Sequence, residues 1–411
     1  MKRRAAWLIA ACLLSDAAAA NEQSALPRSA GPPRVFLLDA TALRNLREAI
    51  AAGRVHEPAL DALRAAANRA LKQPLFSVTQ KQQTPPSGDK HDYMSLAPYW
   101  WPDPSKPDGL PYIHRDGETN PEIRRIPDHG NFGRLMSAAH TLALAYFLFN
   151  DEAYAAHAAQ LLRTWFLDSA TRMNPHLQFA QAVPGRNQGR GIGLIETLAL
   201  AKLVDAIGLL AGSAAWTDTD QKGMQDWFSK FLAWMQESSN GKDEAKARNN
   251  HGTYYDVQVV SLALFTGKTD LAKLVLQEVP RKRIAVQVEP DGRQPLELER
   301  TKSLGYSTMN LSGLFELARL GDHVGVDLWN VRTSDGRGIR KALDFLVPYV
   351  TGAKKWPYPQ IADYNVREII PVLFVAADRY HAPGYVESAA KADPAAARSF
   401  EALLIRSKKR D

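Results

Sequence analysis

Cysteine is nearly absent. Cys12 is the only one in 411 residues, and it lies in a segment expected to be cut away after Ala20. The mature chain then has no thiol, which excludes disulfides, thiolate metal sites and cysteine nucleophiles. The apolar run from Ala5 to Leu14 is too short to span a bilayer as a permanent anchor. Nucleotide-binding loops, zinc motifs and serine nucleophile elbows are missing as well. No long alternating run suggests an extensive sheet, and no linker rich in Pro, Gly or Ser divides the chain beyond residue 131. One domain over 21–411 is therefore expected.

The N-terminus has the three parts of a secretory signal peptide over residues 1–20. They are the basic start Lys2-Arg3-Arg4, the apolar run, and the small residues Ala18-Ala19-Ala20 before Asn21. Ile9-Ala10-Ala11-Cys12 loosely resembles a lipoprotein cleavage box, but the apolar run before it is short for one. The expected location is the periplasm or the exterior, without a lipid on Cys12. The formal charge is +7. Removing the three cations and the single anion, Asp16, of the leader leaves about +5, which suits an anionic partner. Nucleic acid is a poor candidate for an exported chain without a recognisable binding motif.

From Thr41 onward the sequence reads as helices broken by short polar links. Leu135, Ala139, Leu142 and Tyr146 make a core-facing stripe in 134–149. Similar runs cover 42–52, 58–71, 152–166, 191–212, 219–237, 252–266, 268–278, 309–320, 338–350, 366–381 and 393–407. Ile284–Val288 is expected as one short strand. Successive helix hairpins without coiled-coil heptads suggest an α/α toroid or an α-solenoid, and the lack of clear sequence repeats makes a regular array the lesser fit.

Residues 73–131 have no helical period. The stretch contains His91-Asp92-Tyr93-Met94-Ser95-Leu96, then Tyr99-Trp100-Trp101-Pro102-Asp103-Pro104, then Tyr112-Ile113-His114-Arg115-Asp116. So long a loop in a compact domain is usually functional or disordered, and its aromatics argue against disorder. Tyr93, Trp100 and Trp101 either stack on sugar rings as part of a lid or bury the loop against the helices.

The chemistry-bearing residues are Asn250 and His251 in Asn-Asn-His-Gly-Thr-Tyr-Tyr-Asp (249–256), and Arg300 and Tyr306 in Glu-Arg-Thr-Lys-Ser-Leu-Gly-Tyr (299–306). Asn249 or Asn250 is suited to cap the helix that follows. Tyr254, Tyr255 and Gln258 follow His251 at i+3, i+4 and i+7, a polar-aromatic stripe suited to a cleft wall. Arg300 and Tyr306 sit roughly 120° apart on a straight helix, so a shared site needs irregular backbone between them. Taken singly, Arg300 reads as an ion-pair partner of Glu297 or Glu299. Arg186 and Gln188, on the loop 185–191, are weaker substrate-binding candidates. Lys302 and the run Arg281-Lys282-Arg283 either line an approach path or are solvated surface.

These motifs, together with His-Asp-Tyr-x-Ser-Leu-x-Pro-Tyr-Trp-Trp-Pro-Asp-Pro at 91–104, resemble the alginate lyase superfamily. These are helical-toroid polysaccharide lyases that include poly(mannuronate) lyases and related uronan lyases. The resemblance runs from about Lys90 to Gly321. It implies an all-α, incomplete (α/α) barrel of antiparallel hairpins acting on a polyuronate by β-elimination, with no metal or organic cofactor. Asn250 and Arg300, helped by His251, are then expected to hold the C6 carboxylate, and Tyr306 to abstract the C5 proton and protonate the departing O4. His251 becomes the base for guluronate, whose proton and leaving group lie on opposite ring faces. To act as a base the phenol must either be pulled down from its ordinary value near 10, with Arg300 the obvious cation, or relay its proton as the carboxylate is engaged. Mannuronate-rich alginate is the favoured substrate and a monomer the expected state. A glucuronan lyase, a glycoside hydrolase using Asp256, Glu299 or Glu196, and a non-catalytic polysaccharide-binding protein are the alternatives.

Overall fold

The computed structural model describes residues 32–408; the expected signal peptide lies outside the described residues. Helices dominate. In chain order they are α1 (Ala40–Ala51), α2 (Pro58–Ala70), α3 (Asp128–Phe149), α4 (Glu152–Leu162), α5 (Leu200–Leu210), α6 (Asp218–Glu237), α7 (Ser239–Ala245) and α8 (Asn250–Phe265). After these come α9 (Thr269–Val279), α10 (Ala285–Gln287), α11 (Pro295–Leu298), α12 (Ser303–Asp322), α13 (Ile339–Val350), α14 (Ile370–Arg379), α15 (Gly384–Ala392) and α16 (Phe400–Lys408). Four short strands, β1 (Met94–Leu96), β2 (Trp100–Trp101), β3 (Ile113–His114) and β4 (Phe179–Ala182), form a parallel pair β1–β4 and an antiparallel pair β2–β3.

Local chemistry sets the hairpins. Asn150 ends α3 in the left-handed conformation at φ 60°, which Asn tolerates better than most residues. The next residue, Asp151, caps α4 by accepting from the Ala153 amide. Thr217 and Asp220 cap α6 reciprocally. Helices α3, α5, α8 and α12 pack in succession around the toroid, and α16 returns against α1. Both α3 and α8 are lined with buried residues on nearly every side, as expected of helices with neighbours all round. Helix α3 is the one described helix long and apolar enough to cross a membrane, and 67% of its apolar window is buried inside the protein.

Several expected boundaries move. Residues 284–288 are not a strand; they complete a π-helical turn at 280–284 and the single helical turn α10. Residues 191–197 are 3₁₀ rather than α. There a Cβ would stand 2.6 Å from the Asn240 carbonyl oxygen at Gly191 and 2.6 Å from the Ala180 Cβ at Gly193. Helices α7 and α15 escape a periodicity reading because they are short and mostly polar outside.

The aperiodic segment is held by polar anchors. Lys81 and Asp128 form an ion pair at 2.9 Å with both side chains fully buried, and Lys90 donates to the carbonyls of Lys81, Gln82 and Gln83. Burial pushes Asp128 up to about 6 and Lys81 down, each against the pull of the other. Such a pair costs much to break on one side, since the survivor is left charged and dry. Lys81→Met is expected to lower stability by about 3 kcal/mol, read as a lower urea midpoint. The Lys81→Met/Asp128→Leu double variant should lose less than the single one.

Candidate active site

The site forms where the N-termini of α8 and α12 meet the aperiodic segment. Asn249 is the cap of α8, its Oδ1 accepting from the His251 amide at 3.3 Å. This frees Asn250 for another task. Its backbone amide and its Nδ2 both donate to Glu297, at 2.7 Å each, so one carboxylate grips the residue twice. Asn250 and Glu297 are each 1% exposed. Nδ2 carries two protons, so one remains after the bond to Glu297. Burial pushes the Glu297 carboxyl above its ordinary value, opposed by Asn250, Arg300 and His251. These four residues therefore share one small electrostatic neighbourhood.

His251 Nδ1 lies 2.7 Å from Glu244 Oε1. A carboxylate only accepts, so Nδ1 carries the proton and Nε2 is left as the free nitrogen. Glu244 is 2% exposed, which makes this a fixed orientation rather than a surface contact.

Between α11 and α12 the chain turns irregularly, and this brings Arg300 and Tyr306 together. The Arg300 guanidinium lies 3.8 Å from the centre of the Tyr306 ring. Its ion-pair partner is neither Glu297 nor Glu299. It is Asp116, 184 residues earlier, at 2.6 Å from Nη2 with a further contact at 3.1 Å from Nε. Asp116 also accepts from the Thr301 amide at 2.9 Å. Gly117 makes this approach possible: at φ +76° a Cβ there would stand 2.3 Å from Thr301 Oγ1. Burial acts to raise Asp116, but Arg300 and Thr301 outweigh it and hold the carboxyl down at about 2.

The Tyr306 hydroxyl meets the Tyr99 hydroxyl at 2.8 Å, and Lys302 stands 5.6 Å from the Tyr99 ring centre. Of the two routes to a base, depression of Tyr306 does not occur. Burial and the neighbouring Tyr99 phenol push it up, and Arg300, already engaged with Asp116, only partly offsets this. Arg300 thus serves as a cation held over the ring and oriented by Asp116 more than as a source of phenolate.

Tyr99, Asp116, Glu244 and Glu297 were not among the expected site residues. Tyr99 and Asp116 do lie inside the aromatic motifs of the long segment; Glu297 was expected only as a partner of Arg300 and binds Asn250 instead, and nothing in the sequence marks Glu244. Two expected sugar contacts point inward instead. Tyr93 is fully buried, its hydroxyl donating to Glu196 at 2.6 Å. Tyr254 is 5% exposed and donates to the Met309 carbonyl. The stripe below His251 is a helix–helix interface, with Gln258 bound to Thr197 and Leu194. Trp100 is half-buried between His114, at 5.3 Å, and the Arg186 guanidinium, at 5.0 Å. Trp101 donates to the Glu118 carbonyl. Arg186 and Gln188 are exposed on one turn at this rim. Of the carboxylates a hydrolase would need, Glu196 is sealed behind Tyr93 and Ser95, Asp256 is paired with Arg283, and Glu299 is exposed. A cavity of about 320 Å³ elsewhere, between Leu37, Phe315, Arg319 and Phe374, is not this site. Phe315 is nine residues beyond Tyr306 on α12, about 13 Å along the axis.

Asp116 lies below its ordinary value of 3.8 in the folded protein. Its contribution to stability is therefore fully present above that value and is lost as pH falls toward 2. Asp116→Asn is expected to melt below the parent protein near neutrality, with the gap closing between about pH 4 and pH 2. Thermal melts across that range read it.

An alginate lyase family model matches residues 77–356. The crystal structure of an alginate lyase from Bacteroides ovatus is similar at 42% identity and a TM-score of 0.86, covering 90% of this chain and 99% of that one. Alginate lyase A1-III from Sphingomonas species A1 shares the fold at 17% identity and a TM-score of 0.56, with 85% of this chain and 90% of that one covered. A variant of A1-III complexed with a tetrasaccharide is similar to the same degree, at 16% identity and a TM-score of 0.56 over 86% of this chain and 91% of that one. No curated protein sequence matches. The aligned length and the identity to the Bacteroides structure place this chain in the alginate lyase family, as an all-α toroidal polysaccharide lyase.

Proposed function

We propose that the chain is an exported lyase that cleaves mannuronate-rich alginate by β-elimination, leaving 4,5-unsaturated uronate ends. The observation that carries this reading is the Tyr99–Tyr306 hydroxyl pair set against the Arg300 guanidinium. A proton acceptor and a fixed cation stand side by side, as removal of a proton next to a carboxylate demands.

In this reading Arg300, the remaining amide proton of Asn250 and the Nε2–H of a doubly protonated His251, whose charge Glu244 balances through Nδ1, engage the C6 carboxylate. They disperse its charge and stabilise the enolate-like intermediate, a preorganised electrostatic effect. Tyr306 takes the C5 proton, the electron pair forms the C4–C5 double bond, and the C4–O4 bond breaks. The same phenol returns the proton to O4. Because the free phenol is pushed up by burial and Tyr99, it cannot rest as phenolate near neutral pH. Proton transfer is coupled to carboxylate binding: the resting proton of Tyr306 is relayed through the Tyr99 hydroxyl to solvent, and the phenolate so formed beside Arg300 is the base that takes the C5 proton. One phenol on one ring face suits the syn geometry of mannuronate. The basic start, apolar run and small residues of 1–20 support export.

Tyr306→Phe should lower kcat at least about 10³-fold and Tyr99→Phe about 10- to 100-fold, followed as ultraviolet absorbance of the new double bond on polymannuronate. Flat absorbance on alginate and glucuronan while reducing ends accumulate would overturn the elimination.

A further inference from the structure

The run Arg281-Lys282-Arg283 plays no part in the site above. It forms one wall of an open concavity of about 620 Å³ whose other walls come from the end of α6 and the link between α7 and α8. The basic residues lining it are Lys242, Lys246, Arg248, Arg281, Lys282 and Arg283, and no carboxylate lines it. Lys242 and Lys246 are one helical turn apart, so they share a face. These two and Arg248 are exposed, and no acidic partner faces them across the concavity. Arg281 and Lys282 share Glu278.

This cluster is more than a solvated charge run, because its floor is rigid. Arg283 is 4% exposed and is held by Asp256 at 2.7 and 3.1 Å and by the carbonyls of Ala247 and Ala245 at 2.7 and 3.0 Å. These bonds tie the α7–α8 link to the 280–284 turn and hold both sets of cations toward the same space. Tyr255 adds an aromatic edge, its hydroxyl fixed on the Met235 carbonyl at 3.0 Å. A size of several hundred cubic ångströms is that of a small-ligand site, and Lys242, Lys246 and Arg248, the three lining cations without an ion pair, repel one another until an anion arrives.

We infer that this concavity is an accessory site for the carboxylates of a polyuronate strand, outside the catalytic groups. The inference rests on the polyuronate reading of the active site. The two sites share one segment: Glu244 and His251 face the catalytic side, whereas Lys242, Lys246 and Arg248 face the concavity, and Arg248 is two residues from Asn250. A polymer held here keeps its other residues at high local concentration beside Asn250 and Arg300, a gain unavailable to an oligomer too short to bridge both sites.

The test uses Lys242→Gln/Lys246→Gln/Arg248→Gln in the full chain. KM for polymannuronate is expected to rise about tenfold with kcat nearly unchanged, whereas KM for a mannuronate trisaccharide stays at the parent value. The salt dependence of polymer KM should also flatten. The same triple change in a Tyr306→Phe background reads binding without turnover, as mobility in native gels cast with polymannuronate or with neutral dextran. Loss of retardation in the polymannuronate gel alone supports the site, even if no uronan is cleaved by the parent, in which case only the lyase reading fails. Unchanged polymer KM and unchanged retardation overturn it, as does equal retardation of the parent by dextran.

Discussion

The ion pair between Asp116 and Arg300 is the contact on which the site depends. It joins the long aperiodic segment to the irregular turn before α12, and it does so with a planar, two-point grip. That grip holds the guanidinium 3.8 Å over the centre of the Tyr306 ring, and the same segment delivers Tyr99 to the Tyr306 hydroxyl. Lysine could not substitute, because a point charge on a flexible stem neither forks onto a carboxylate nor stacks as a plane. The buried Lys81–Asp128 pair anchors the segment at its far end, so its position over the helices is set from both sides.

Behind the groups proposed to meet the substrate stands a layer of buried carboxylates. Glu297 holds Asn250 by main chain and side chain, and Glu244 selects which nitrogen of His251 carries the proton. Asp256 does the equivalent for Arg283 beneath the basic concavity. Each places a negative charge where water is scarce, and burial drives Glu297 and Asp256 upward as a result. The arrangement is tolerable because each carboxylate faces donors or a cation. It leaves the Arg300 guanidinium and the donors of Asn250 and His251 backed by negative supports.

Much of the helical frame was legible in the chain. The stripe in 134–149 and the adjoining run from 152 place the α3–α4 hairpin and the end of α3 at Phe149, although α3 begins earlier than its stripe, at Asp128. The stripe through Tyr254 and Gln258 was misread. Polar atoms on a helix face suit a cleft wall and a hydrogen-bonded helix interface equally well, and only the neighbours Thr197, Leu194 and Met309 decide between them. Tyr93 was misread likewise, because an aromatic in a long loop looks available until Glu196 is seen to occupy its hydroxyl.

By itself the sequence determined an all-helical chain with one aromatic irregular segment, and it singled out Asn250, His251, Arg300 and Tyr306 as the chemical candidates. Periodicity, capping and rare residue types act over short spans and survive in a linear string. The tertiary structure alone decided which groups those candidates meet. Arg300 found Asp116 across 184 residues and Tyr306 found Tyr99 across 207, although acidic residues much closer in sequence were available to the arginine. The physical reason is that partner choice depends on where the backbone returns and which charges are desolvated together. Folding sets both, and no spacing along the chain records them.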